Sequence, residues 1–153
     1  LSPAERPVSS SRVLVVDDNA DAADMLGLAL RTQGHEVKVV HDPAAALAAV
    51  ETFVPDVAVL DIGLPAMDGY ELGTRLREAL GTGTCRFIAL TGYSQESDRR
   101  RSHEAGFHHH LVKPVDLDLF TALVAAEAAA MRAATASDLG AEGPPANKGV
   151  GII

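Results

Sequence analysis

Five short apolar runs alternate with five longer segments of helical character, and this alternation limits the chain to a small set of folds. The runs are RVLVV at 12–16, EVKVV at 36–40, DVAVL at 56–60, RFIAL at 86–90 and HHLV at 109–112. Helix-like patterning occupies about 20–33, 43–53, 69–80, 95–105 and 117–133. Strands and helices in alternation predict an α/β fold with a parallel sheet.

The runs differ in kind. Residues 13–16 and 57–60 are unbroken apolar stretches, as in strands covered on both faces. The run at 36–40 interleaves Glu36 and Lys38 with Val37 and Val39, which suits an edge. The second strand therefore lies outside the first, and the full order 2-1-3-4-5 of a doubly wound five-stranded parallel sheet is taken over from a common arrangement with that feature. Hydrophobic residues make up 47% of the chain but aromatics only 4%, with no Trp, so the core must be aliphatic.

Helix punctuation agrees with these boundaries. Asp42-Pro43 places a capping acid before a proline at the first helical position. Asp68, Ser94 and Asp116 are further N-cap candidates, and Gly34, Gly81 and Gly106 sit just past helix ends. Leu72, Leu76 and Leu80 line one face of their helix. Residues 1–11 carry Pro and Ser without periodicity and are expected to be linker. Residues 12–133 form one domain on this pattern, and 134–153, rich in Gly, Pro and small residues, form a flexible tail.

Charge and cysteine content exclude several functions. A net charge of -8 argues against nucleic-acid binding through bulk electrostatics. The single cysteine, Cys85, rules out an intramolecular disulfide framework and fits a reducing, cytoplasmic setting. Its place at the start of an apolar strand predicts a buried, inert thiol. No apolar run approaches the roughly 20 residues of a membrane span, so no membrane contact by this domain is expected.

In an open parallel sheet, ligands bind beyond the carboxyl ends of the strands, where the strand order reverses. The residues at those ends are Asp17 and Asp18 after the first run, Asp61 after the third, Thr91 after the fourth, and Lys113-Pro114 after the fifth. The first and third strands are predicted neighbours, so Asp61 falls beside the acid pair. Two like charges about 4 Å apart repel by about 1 kcal/mol in water and about 4 kcal/mol at an effective dielectric of 20. Three carboxylates on one edge are an oxygen-rich nest for a hard divalent cation such as Mg²⁺, which prefers oxygen ligands and is commonly held by carboxylates together with phosphate.

Together, VLVVDDN, VLDIGLPAMDGYEL, ALTGY and LVKP resemble the receiver domain of bacterial two-component response regulators over about residues 12–132. The resemblance implies a flavodoxin-like receiver fold and a phosphoacceptor in a two-component phosphorelay. It implies that Asp61 takes a phosphoryl group from a histidine kinase or histidine phosphotransfer domain. Asp18 would ligate Mg²⁺ directly, Asp17 mainly through water, and the Gly63 backbone carbonyl would complete the site with Asp61. Lys113 would hold Asp61 at rest and a phosphoryl oxygen afterwards, while the Thr91 hydroxyl would follow the phosphoryl and pull its loop inward. Gly92 leaves room for the group, Pro65 and Gly69 shape the loop after Asp61, and Lys113-Pro114 is expected to be cis.

The family often has Tyr or Phe three residues before the lysine, whereas this chain has His110. An imidazole is smaller and changes charge near neutral pH, so a switch built on Thr91 and His110 is expected to couple differently. The output face implied is that of the helix over 95–105, the strand at 109–112 and the helix over 117–133. The leader, the first residue Leu rather than Met, and AGFHHHLVKPVDLD look most like the C-terminal receiver of a hybrid sensor histidine kinase. Such a domain is no enzyme beyond its own phosphorylation and dephosphorylation, although its parent would be a histidine kinase. A stand-alone single-domain response regulator is the alternative.

Other readings fit less well. An aspartate-nucleophile phosphatase would want a second Asp two residues after Asp61, where Gly63 stands. A flavodoxin-like cofactor carrier lacks its phosphate-cradling loop, since DDNAD follows the first strand. A receiver that only binds partners and is never phosphorylated would not need every site residue. Three consecutive histidines at 108–110 cannot converge on one ion from a strand, because neighbours point to opposite faces. DRRR at 98–101 reads as a solvated face or a docking patch, and GTGT at 81–84 lacks the lysine of a phosphate-binding loop.

Overall fold

The computed structural model describes residues 11–81, 83–92, 100 and 104–140, with side chains to residue 134. The elements are β1 (Arg12–Val16), α1 (Ala20–Thr32), β2 (Glu36–Val40), α2 (Pro43–Ala49), β3 (Val57–Asp61), α3 (Gly69–Leu80), β4 (Arg86–Thr91), β5 (His109–Val112) and α4 (Leu117–Gly140). The strands form one parallel sheet in the order β2-β1-β3-β4-β5. Most of the predicted helix over 95–105, with Ser94 and DRRR apart from Arg100, lies outside the described residues; Arg100 and Glu104 are helical.

Alternate residues of the central strands supply two separate cores, because successive side chains point to opposite faces. Leu14, Val16, Ala58, Leu60, Phe87 and Ala89 pack with residues of α2 and α3. Val13, Val15, Val57, Val59, Ile88 and Leu90 pack with residues of α1 and α4. The second cluster contains no aromatic ring except Phe120, as the composition requires.

Asp42, Asp68 and Asp116 cap their helices as the sequence suggests, accepting the backbone N–H groups of Ala45, Glu71 and Leu119. Asn19, not among the predicted caps, accepts that of Ala22 at the start of α1. Gly34, Gly81 and Gly106 have φ of 95°, 91° and 91°, the left-handed region in which a side chain is strained.

Two helices differ in length from their predicted spans. Helix α2 stops at Ala49, and the N–H groups of Thr52 and Phe53 fall back on the Ala49 carbonyl at 3.2 and 2.9 Å. Pro55 follows closely and disfavours helical backbone at the residue before it. Helix α4 runs on to Gly140, past the point where apolar periodicity ends. Its alanine-rich sequence sustains a helix by intrinsic propensity without a core-facing stripe. Asp56 lies just before β3. Its carboxylate accepts the Arg12 N–H at 2.9 Å and its carbonyl the Arg86 N–H at 2.8 Å, which ties together the starts of β1, β3 and β4.

Candidate functional site: an acidic cluster at the carboxyl edge of the sheet

The ends of β1 and β3 bring the predicted acids together. Asp17 follows β1 and has no solvent exposure, whereas Asp18 is exposed. Asp61 is the last residue of β3 and is buried. One carboxylate oxygen from each of Asp17, Asp18 and Asp61 lies within 4.8 Å of the others.

Each buried acid is held by two donors. Asp17 Oδ1 accepts the Asn19 N–H at 3.0 Å, and Asp61 Oδ1 accepts the Gly63 N–H at 2.9 Å. The Lys113 ammonium donates to the remaining oxygens, Asp17 Oδ2 at 3.0 Å and Asp61 Oδ2 at 3.2 Å. Lys113 arrives from just beyond β5, where the Lys113-Pro114 peptide is cis and the Lys113 N–H donates to the Thr91 carbonyl at 2.7 Å. Thr91 ends β4 and is buried, and Gly92 beside it is exposed.

Burial pushes the Asp17 carboxyl above its ordinary value; the Asn19 amide and Lys113 oppose this, and the Asp61 charge adds to it. For Lys113, burial works downward, but the hydrogen bond it donates to Asp17 and the charges of both acids outweigh this and hold the ammonium above its ordinary value. Among the described residues the site is an anionic cluster with Lys113 as its cation. Its donor set, three hard carboxylates with Asp18 open to solvent, fits a small divalent ion.

Gly69 keeps the cluster compact. A Cβ there would sit 2.5 Å from the Asp61 carbonyl oxygen and 2.6 Å from Ile62 Cα, both backbone atoms. Only a glycine lets the first turn of α3 approach β3 this closely. Pro65 is exposed in the intervening loop. His110 is half-buried in β5, in register with Ala89, and Val112 pairs with Thr91. Tyr93 lies outside the described residues.

Two arrangements were not anticipated from sequence. One is the contact of Lys113 with Asp17 as well as Asp61. The other lies at the opposite end of the sheet, where the buried Glu127 of α4 accepts from Arg86 Nε at 2.8 Å and lies 2.7 Å from His109 Nε2. Its only sequence signal is a single acid in the alanine-rich run AAEAAAM. Cys85 is buried with its thiol pushed up chiefly by burial, in keeping with an inert group.

A doubly wound parallel sheet with three carboxylates and a lysine gathered at the carboxyl ends of its strands defines a class of small α/β modules with an acidic site at the switch point. The family model of the response regulator receiver domain matches residues 13–125, and the chain belongs to that family. A 14.6 kDa protein of Leptolyngbya boryana is 41% identical over 104 residues, covering 68% of this chain and 79% of its own length. The transcriptional regulatory protein PrrA of Mycobacterium leprae is 40% identical over 119 residues, covering 78% of this chain. The chain spans 50% of that regulator's length. Among solved structures, a CheY-like receiver domain protein from Methanospirillum hungatei superposes with TM-score 0.75 at 28% identity, covering 80% of this chain and 97% of the other. A response regulator from Chloroflexus aurantiacus gives TM-score 0.72 at 31% identity, covering 78% and 98%. No helix among the described residues is long and apolar enough to cross a membrane.

Proposed function

We propose that the chain accepts a phosphoryl group on Asp61 from a phosphohistidine of a histidine kinase or histidine phosphotransfer domain. The observation that carries this reading is the shared grip of Lys113 on Asp17 and Asp61, within a cluster of three carboxylates. In the transfer, an Asp61 carboxylate oxygen forms the new O–P bond as the N–P bond of the donor breaks, and the imidazole nitrogen keeps the electron pair and takes a proton.

Asp17, Asp18, Asp61 and the Gly63 carbonyl would hold Mg²⁺. When bound, the ion supplies charge neutralisation that lets an anionic carboxylate approach an anionic phosphoryl group. The chain's own residues do the rest. The Gly63 amide and Lys113 fix the Asp61 carboxylate in one orientation, and Lys113 carries its ammonium onto a phosphoryl oxygen. The Thr91 hydroxyl donates to the phosphoryl, and Gly92 leaves space for it. The inward movement of Thr91 passes to His110, and the face around β5 and α4 changes its affinity for a partner. Replacing His110 with Tyr is expected to alter partner affinity and its pH dependence.

The parent context we propose is a hybrid histidine kinase, supported by the stretch AGFHHHLVKPVDLD. The experiment for Asp61 is incubation with acetyl phosphate and Mg²⁺, followed by intact mass measurement. One phosphoryl adduct, lost in Asp61→Asn and on chelation, is expected. A folded protein that takes no adduct from acetyl phosphate or from a phosphorylated histidine phosphotransfer domain would overturn the proposal.

A further inference from the structure

A second concavity lies at the other end of the sheet, away from the carboxylate cluster. Its volume is about 330 Å³, and its lining includes Arg77 near the end of α3, Arg86 at the start of β4, His108 just before β5, and Met131 and Ala134 on α4. The extension of α4 past the apolar core builds one wall of this crevice.

The three polar side chains offer hydrogen-bond donors that have no acceptor among the described residues. Arg77 donates one Nη1–H to the Ala105 carbonyl at 2.8 Å and has no acidic partner among the described residues. Arg86 meets Glu127 through Nε, which leaves its two terminal nitrogens without an acceptor among the described residues. His108 Nδ1 accepts the Phe87 N–H at 3.0 Å, so Nδ1 carries no proton and Nε2 does. Burial and the charge of Arg86 hold this imidazole below its ordinary value.

The features that would repel an anion here are largely engaged. The α3 carbonyls of Leu80 and Gly81 accept the Thr84 hydroxyl at 2.9 and 2.8 Å, and that of Arg77 accepts the Gly81 N–H at 2.8 Å. Both oxygens of Glu127 face Arg86 and His109. In a chain of net charge -8, a walled crevice with two guanidinium groups and an N–H donor stands out. Guanidinium forks match phosphate oxygens in geometry and charge.

We propose that this crevice binds a phosphate-bearing small molecule, gripped by the free guanidinium edges of Arg77 and Arg86 and the Nε2–H of His108. The site is separate from the phosphoacceptor cluster and does not depend on its function. The test is calorimetric titration of the full chain with pyrophosphate, in chelator and without Mg²⁺, alongside amide NMR shifts. Saturable binding is expected, with shifts at the Gly83 and Gly106 amides rather than at Gly63. Arg77→Gln should weaken it about tenfold or more. Ala134→Glu, an exposed position that adds a carboxylate to the wall, should do the same and decides the matter if Arg77→Gln does not fold. No saturation, an equal response to chloride, indifference to Ala134→Glu, or shifts centred on Gly63 would each overturn the proposal.

Discussion

Lys113 Nζ lies 3.0 Å from Asp17 Oδ2 and 3.2 Å from Asp61 Oδ2, so the acids that end β1 and β3 share a single cation. That ammonium is the resident counter-charge of the cluster, and a divalent ion must bind against it. Lys113→Met is expected to tighten Mg²⁺ binding by about tenfold, a modest fraction of the ~4 kcal/mol between unit charges 4 Å apart at an effective dielectric of 20. The same change removes the group that would meet a phosphoryl oxygen, so adduct formation from acetyl phosphate should slow. Calorimetry with Mg²⁺ and timed mass spectra check the two effects. Weaker Mg²⁺ binding in the variant would show that Lys113 organises the acids more than it competes for them.

Asp17 is wholly buried, and burial together with the Asp61 charge raises its carboxyl above the ordinary value despite Lys113. A carboxyl raised in the fold contributes stability that is fully present below its unfolded value of 3.8 and is lost as pH rises through the folded value. At neutral pH the metal-free protein therefore carries a destabilising charge. Asp17→Asn should raise its melting temperature by a few degrees, since about 1 kcal/mol moves a domain of this size by roughly 2–4 °C. Mg²⁺ is expected to add stability to the parent and to add less to the variant. Thermal scans with and without Mg²⁺ make the comparison, and a lower melting temperature for metal-free Asp17→Asn would contradict the sign.

The sheet was legible because its signals are local. Unbroken apolar runs at 13–16 and 57–60, too short for helices in an alternating chain, fit strands covered on both faces, and the interleaved Glu36 and Lys38 mark an edge. The acids were legible because strand ends and strand order together place Asp17, Asp18 and Asp61 side by side. What escaped depends on side-chain reach between distant elements. The second contact of Lys113 spans from residue 113 to residue 17, and no periodicity encodes which of two nearby acids an ammonium meets. Glu127 escaped for a similar reason, because its partners sit on β4 and β5 and nothing near it in sequence is charged except Arg132. The end of α4 was misplaced because alanine propensity, not amphipathic patterning, carries its final turns.

Glu127 joins α4 to two strands at once. Burial works upward on its carboxyl, but hydrogen bonds from Arg86 and His109 outweigh this and hold it below the ordinary value. Its side chain is 8% exposed, against 32% for Arg86 and 43% for His109. Removing one member of a fully buried pair costs about 3–5 kcal/mol, but solvent at the partners lowers that. Glu127→Ala should therefore destabilise by about 2 kcal/mol, near the range for hydrogen bonds to charged groups. A carboxyl lowered in the fold contributes stability that is present above its unfolded value of 4.5 and is lost as pH falls through the folded value. The gap between parent and variant in urea unfolding should be full at neutral pH and narrow in acid. A gap that widened on acidification would mean that packing, not the ion pair, accounts for the loss.

Gly69 is required by distance, not by backbone conformation. Its missing Cβ would meet the Asp61 carbonyl oxygen at 2.5 Å and Ile62 Cα at 2.6 Å, and backbone atoms cannot turn aside as a flexible side chain can. The Gly69 N–H also donates to the Ile62 carbonyl at 3.0 Å, so the start of α3 is fastened to the residue that follows Asp61. Gly69→Ala must push α3 away from β3 or displace the end of that strand. Forcing atoms into a packed region costs about 1–3 kcal/mol. Alanine at Gly73 on the same helix makes an instructive control, because its Cβ would meet the Phe107 ring at 3.0 Å and the Leu60 side chain at 3.7 Å, side chains that can shift, and not the backbone of β3. Both variants should lose stability in urea unfolding. Only Gly69→Ala should also lose Mg²⁺ affinity and adduct formation beyond what its unfolded fraction explains, because only there does the strain reach the carboxylate. Equal effects on Mg²⁺ affinity in the two variants would show that the cluster tolerates movement of β3 and that its geometry is set elsewhere.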